Sequence, residues 1–143
     1  MAELVIAYGG LFVWSFLAAT VLPLGSEAAL VALVRNERGM FAPVLVATIG
    51  NYLGSCTTYW LGRRVARAAG ARRKNPTWGE KRAAGWLARY GRPALLLSWV
   101  PVVGDALVAL AGAAGVPFAG FSFWVALGKA LRYAAVAWAA NSV

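Results

Sequence analysis

Apolar positions in this chain come in long runs, and the runs are cut at two matching places. Leu4 to Leu22 passes 19 residues without a charge, about the length of one bilayer crossing. Pro23-Leu24-Gly25-Ser26-Glu27 ends it, and a second apolar stretch, Ala28 to Val34, resumes at once. That second stretch is too short to cross a bilayer, so Leu11–Leu22 and Ala28–Val34 read as a proline-broken, re-entrant helical hairpin. Arg35-Asn36-Glu37-Arg38-Gly39 closes the hairpin with polar loop residues. Phe41 to Leu61 follows as a clean spanning helix with Asn51 near its middle. Its Gly50-Asn-Tyr-Leu-Gly54 face spaces two small residues so that another helix can come close.

Polarity changes after Arg63-Arg64. Ala71 to Arg92 mixes Trp78, Trp86, Leu87 and Tyr90 with Lys81, Arg82 and Arg89, behind an Asn75-Pro76-Thr77 start that suits a helix cap and first turn. This is the pattern of a short amphipathic helix lying in the membrane interface, or equally of a loop helix packed on protein. Pro93 to Val116 then repeats the broken hairpin around Pro101, with Gly104 and Asp105 just beyond the break. Pro117 to Ala140 is a second full span, carrying Lys129 and Arg132 near its centre.

The two halves align without a gap. Pro23 and Pro101 are 78 residues apart, and so are Glu27 and Asp105, Gly50 and Gly128, Asn51 and Lys129, and Trp60 and Trp138. The chain therefore reads as one all-α membrane domain over residues 1–143. Repeat 1 covers about 11–62, a basic loop with the amphipathic helix covers 63–92, and repeat 2 covers about 93–140. One crossing separates the two hairpins, so they enter from opposite faces. Such an inverted repeat puts a transporter's binding site at the repeat interface, near the bilayer midplane.

Composition agrees with the pattern. Of 143 residues, 61% are hydrophobic and only 13% charged, half the roughly 25% charged residues of a soluble domain. The net charge of +9 is unevenly placed: ten of the fourteen basic residues fall between Arg63 and Arg92, opposed by Glu80 alone. Clustering in one connecting loop is the positive-inside signature of a multi-pass membrane protein and puts 63–92 in the cytoplasm. No helix-turn-helix, zinc-ligand or base-stacking pattern accompanies the charge, so a nucleic-acid partner is not expected. The start, with Glu3 as its first charge, lacks the basic n-region of a cleaved signal peptide. Histidine is absent and Cys56 is the one cysteine, which leaves no metal cluster, no cofactor motif and no catalytic base at a recognisable spacing. An enzyme is not expected.

Several strings carry a resemblance to a known family. Leu22-Pro-Leu-Gly-Ser-Glu27-Ala, Gly50-Asn-Tyr-Leu-Gly54, Arg89-Tyr-Gly, Leu97-Ser-Trp-Val-Pro-Val-Val-Gly-Asp105 and Gly128-Lys-Ala-Leu-Arg-Tyr133 are similar to the YqaA-type branch of the DedA family. These are small bacterial inner-membrane proteins, also described by their VTT or SNARE-associated domain. The resemblance covers nearly the whole chain, and the last two strings are the most specific. It implies two membrane-embedded re-entrant loops that face each other, and lipid translocation: some members resemble undecaprenyl-phosphate flippases coupled to ion gradients. The chain departs from the pattern in two places. Many members carry a further acid upstream of the first loop's prolines, where this chain has Ala18, Ala19 and Thr20. They also place arginines around the second loop's proline, where it has Ser98 and Gly104. A phosphate-binding role for those arginines cannot be carried over, and Lys129 and Arg132 are the candidates to replace them.

The residues themselves suggest how. The apolar zone contains two acids, Glu27 and Asp105, and two bases, Lys129 and Arg132. Ionisable groups at that depth face an interior cavity and pair with one another. Lys129 and Arg132 share one helix face, with Tyr133 beside them. In each hairpin the second half-helix begins at the break, with Ser26 or Asp105 at a cap-like position and free N–H groups that favour an anion. The expected site is a polar crevice in which Lys129 and Arg132 take the phosphate of a membrane lipid, an anionic head group or polyprenyl phosphate. Glu27 and Asp105 exchange a proton or ion as it switches sides, with Pro23, Ser26, Asn51, Ser98, Pro101, Gly104 and Tyr133 in support. A homodimer would help to shield such a crevice. The alternative is a non-transporting membrane protein for assembly or partner binding, in which the acids are helix caps and the four charges a structural ion-pair cluster.

Overall fold

The computed structural model describes residues 1–20, 25–36, 39–69, 78–100 and 102–142, and every regular element among them is helical. In chain order these are α1 (Ala2–Ala18), α2 (Glu27–Asn36), α3 (Phe41–Ala69), α4 (Trp78–Tyr90), a 3₁₀ segment (Arg92–Trp99), α5 (Val103–Ala113) and α6 (Phe118–Ser142). Both breaks flagged by proline, Pro23 and Pro101, lie outside the described residues, as does the 71–77 start of the expected amphipathic helix. A short helix comes directly after each break. At about 1.5 Å per residue, α2 and α5 are about 15 and 16 Å long, half the ~30 Å hydrocarbon thickness of a bilayer.

The punctuation between elements is local chemistry. Gly91, at φ 64°, ends α4 in a conformation that costs glycine least. Pro93 then starts the next element, where its missing N–H is not needed. That element winds as a 3₁₀ helix, tighter than the α-helical half expected there. Gly115, at φ 72°, stops α5 in a Schellman motif: Val116 N–H donates to Ala111 O (3.0 Å) and Gly115 N–H to Gly112 O (3.1 Å). Val102, just before α5, is the one described non-glycine residue at positive φ (66°). Asp105 is therefore the third residue of α5 rather than its cap, a first-turn position that still suits a carboxylate.

The two expected spans meet helices α3 and α6, about 43 and 37 Å long. Among the described residues, however, no helix is long and apolar enough to cross a membrane. The reason lies in which residues fill them. Gly50, Asn51, Gly54, Ser55, Thr57 and Thr58 dilute α3, and Lys129 and Arg132 interrupt α6. These residues are not spread evenly around the helices. In α3 the buried stripe is Ala47, Gly50, Asn51, Gly54, Ser55 and Tyr59, while Leu45, Ile49, Leu53 and Trp60 face out. In α6, Lys129 is 2% exposed and Trp138 67%. Polar and small groups thus line part of the inward face of α3, and Lys129 lies inward on α6 beside the buried Phe121, Val125 and Tyr133, while large apolar side chains cover the outward faces of both helices.

The described chain divides into two compact units, residues 1–54 with 129–143 and residues 55–128. In the first, α1 lies on the glycine face of α3. A Cβ on Gly50 would stand 2.6 Å from Phe12 O, and one on Gly54 would collide with Phe16 O and sit 2.8 Å from Ala19 Cβ. Leu30 and Val34 of α2 share a buried cluster with Leu11, Ala47, Tyr133 and Ala137. In the second unit, α5 packs on α4 and the 3₁₀ segment. It also lies against the end of α3: a Cβ on Gly112 would run into the Tyr59 carbonyl, and one on Gly62 into that of Ala109. Each unit thus joins a short helix from one half of the chain to the second half of the other half's long helix. The 78-residue offset pairs Val34 with Gly112 and Ala137 with Tyr59; the first unit buries Val34 and Ala137 in one cluster, and the second sets Gly112 against the Tyr59 carbonyl.

Candidate functional site

The polar interior of the first unit gathers four elements. The middle of α6 places Lys129, Arg132 and Tyr133 on one face, spaced three and four residues apart. From α3 comes Asn51, which lies on the buried stripe because apolar residues occupy the outward positions around it. The start of α2 brings Ser26 and Glu27, and α1 brings the backbone of Ser15.

Contacts among them form three layers. Lys129 Nζ donates to Asn51 Oδ1, and Asn51 Nδ2 donates in turn to Ser15 O at 3.0 Å. The amide is thereby fixed with its oxygen toward the ammonium. A charge in a low-dielectric interior needs such dipoles, and both residues are nearly solvent-free. One turn on, Arg132 pairs with Glu27, and the two side chains keep 23% and 27% exposure. Its guanidinium carbon also stands 5.8 Å from the centre of the Tyr133 ring. The Tyr133 and Ser26 hydroxyls bond each other. Because Ser26 O accepts the Leu30 N–H at 3.0 Å, that serine closes the first turn of α2 with its backbone while its hydroxyl ties α2 to α6. Lys129, Arg132 and Glu27 thus put two bases and one acid on facing sides of α6 and α2 within this unit.

The remaining sequence-selected residues fall in the second unit or outside the described chain. Pro23 and Pro101 belong to the latter. Asp105, half-buried in the first turn of α5, is the 78-residue counterpart of Glu27 but stands third in its helix where Glu27 stands first. Ser98 is buried, its hydroxyl without a hydrogen-bond partner. A Cβ on Gly104 would collide with the Ser98 carbonyl. The 3₁₀ turn and α5 approach too closely there for any side chain, so an arginine at this position is sterically shut out. Two features escaped the sequence reading. Ser55 continues the buried stripe one turn beyond Asn51. Tyr59, another turn on, donates to Val116 O at 2.5 Å and accepts from Arg63 at 3.4 Å. The signal was present, since 47, 51, 55 and 59 recur every four residues, but polar members hide such a stripe in a hydropathy reading. Among the described residues no three His, Cys, Asp or Glu side chains gather to hold a metal ion.

Comparison with known proteins agrees with the motifs. The family model of the VTT domain matches residues 3–141. Inner membrane protein YqaA of Escherichia coli K12 is 50% identical over 130 residues, covering 89% of this chain and 86% of the relative, and its Shigella flexneri counterpart matches equally. An uncharacterized protein of Haemophilus influenzae is 41% identical over 134 residues, 88% of this chain and 82% of its own length. No solved structure matches. With a family model spanning nearly every residue and half the positions shared with YqaA, the chain belongs to the VTT-domain, or DedA, family.

Proposed function

We propose that this chain is a multi-pass protein of the bacterial inner membrane that carries the phosphate-bearing head group of a lipid across the bilayer. The observation that carries the reading is a buried polar cluster inside helices whose outward faces are apolar. Lys129, Asn51, Ser55 and Ser26 are buried, while Ile6, Val13, Trp14, Leu53, Phe123, Leu131 and Trp138 are exposed. A helix average counts the inward polar groups that lipid never meets, so α3 and α6 can present apolar faces to a bilayer in spite of their modest overall hydropathy. The name of the Escherichia coli relative supports the location. Two short helices after proline breaks, and two units that exchange long helices at a constant offset, support an inverted repeat with re-entrant hairpins.

In this reading the lipid phosphate enters the first unit's polar interior and takes the place of Asn51 on Lys129 and of Glu27 on Arg132. Released from Arg132, Glu27 is free to take up a proton, and the cargo's phosphate then faces Lys129 and Arg132. Asp105 performs the matching task in the second half. Sugar and glycerol oxygens find donors in Ser26 and Tyr133. No covalent step is involved.

One observation favours the structural alternative: in the first unit Lys129, Arg132 and Tyr133 each have a partner in Asn51, Glu27 and Ser26. Reconstitution separates the readings. Purified protein in liposomes should move fluorescent phospholipid or polyprenyl phosphate from the inner to the outer leaflet, measured by dithionite quenching. No movement of either class, with folded protein and at several pH gradients, would overturn the transport role.

A further inference from the structure

Outside the polar interior, the second unit carries a groove of about 390 Å³ between α4 and the 3₁₀ segment, lined by Trp86, Tyr90, Pro93, Ala94 and Leu97. The volume falls within the range of small-molecule sites, but its walls are aromatic and aliphatic, which suits a hydrocarbon chain better than a polar metabolite. The segments that form it are basic. Within 78–100 the basic residues are Lys81, Arg82, Arg89 and Arg92, and the one acid is Glu80. Two of these cations rest on aromatic rings: the Arg82 guanidinium carbon is 5.0 Å from the Trp78 ring centre, and that of Arg89 is 5.5 Å from that of Tyr90. Tyr90 is itself a wall of the groove, so Arg89 stands at its rim. Arg92, at the start of the 3₁₀ segment, is held by α6: a Cβ on Gly120 would stand 3.1 Å from Arg92 Cδ. An apolar slot with the Arg89 guanidinium on its Tyr90 wall and Arg92 next to its Pro93 wall in sequence is complementary to one molecule above others, an anionic phospholipid with an acyl chain in the slot and its phosphate on the rim.

We propose that the groove between α4 and the 3₁₀ segment is a binding site for an anionic phospholipid, separate from the lipid-moving interior, that fixes α4 to the membrane surface. The proposal rests on the membrane placement proposed above but not on transport. Arginine at the rim supplies bidentate phosphate contacts that lysine would not, and aromatic side chains suit the level of the head groups. A zwitterionic lipid would fill the slot and offer the same phosphate, but its own ammonium would offset the attraction of the basic rim.

Native mass spectrometry of the full chain in detergent, titrated with dioleoylphosphatidylglycerol or dioleoylphosphatidylcholine, tests it. Phosphatidylglycerol should bind more tightly. Arg89→Gln with Arg92→Gln should weaken it at least tenfold, each surface cation being worth about fivefold, and leave phosphatidylcholine unchanged. Tyr90→Ala, at an exposed position that the fold tolerates, should weaken both lipids by removing a wall. Equal binding of the two lipids by the unaltered protein would overturn the proposal. So would a phosphatidylglycerol preference that the arginine pair removes but Tyr90→Ala leaves intact, since that is surface charge without a groove. A second measurement needs no destabilising variant. The emission lost in Trp86→Phe identifies the Trp86 signal, and brominated phosphatidylglycerol should quench it at lower mole fraction than brominated phosphatidylcholine; equal quenching is contrary. Protein that pellets with membranes yet shows no preference refutes the groove alone. Protein that never enters membranes refutes the membrane placement as well.

Discussion

Replacing Asn51 with leucine removes the buried amide and keeps the branched shape and heavy-atom count of the side chain. Two hydrogen bonds go with it, one from the Lys129 ammonium and one to Ser15 O. A hydrogen bond to a charged group contributes about 1.5–3 kcal/mol and a neutral one about 1 kcal/mol, and a group left unsatisfied in an apolar setting adds its own desolvation cost. Asn51→Leu should therefore destabilise the chain by about 3–5 kcal/mol, which for a chain of this size lowers the melting temperature by about 10 °C or more. Adding Lys129→Met removes the charge that the Asn51 amide solvates, and replacing both partners with apolar groups is often nearly neutral. The double variant should regain at least half of the loss, a coupling of about 2 kcal/mol in a double-mutant cycle. Thermal unfolding in detergent, followed by tryptophan emission and by size-exclusion elution, provides all four corners. Strict additivity, or a loss below about 0.5 kcal/mol for Asn51→Leu, would refute the Lys129–Asn51 contact as the structure has it.

Other contacts make further expectations. Leu131→Asp places a charge on the exposed face of α6: if that face meets lipid, the variant should lose about 3 kcal/mol and insert poorly, whereas a water-facing site would register within about 0.5 kcal/mol. Membrane-fraction yield and melting temperature both read this. Gly112→Ala drives a methyl into the Tyr59 carbonyl and should cost about 1–3 kcal/mol as overpacking, visible as a lower melting temperature. Tyr59→Phe leaves the ring packing and removes the bond to Val116 O, for a smaller loss of about 1 kcal/mol. If it equalled the cost of Gly112→Ala, the hydroxyl would be holding more than one turn.

A good part of this organisation is legible in the sequence, for identifiable reasons. The Gly50–Gly54 spacing pointed to close helix approach, and α1 makes it, because glycine spacing on a helix is a local property. The 78-residue offset paired Asn51 with Lys129, and those two side chains are bonded. Pairing of the charges was less accessible. Nothing in residue order distinguishes Glu27 from Asp105 as the partner of Arg132, since both follow a proline break and precede an apolar helix. The choice is made by the packing of α2 against α6 through Leu30, Val34 and Ala137. Winding of 92–99 as a 3₁₀ helix also escapes periodicity, because Pro93 is compatible with either form. The exclusion of a side chain at Gly104 depends on a carbonyl six residues earlier in the chain, brought near by the break itself.

Exchanging Glu27 and Arg132 tests the central claim most directly. Glu27→Arg with Arg132→Glu keeps an ion pair between α2 and α6 but moves the guanidinium off the face it shares with Lys129. In liposomes, the account expects each single variant to be unstable and the double variant to fold and melt near the parent, yet to move no labelled lipid between leaflets. Recovery of folding and lipid movement together would mean that the charges only hold the helices in place, and would contradict the account.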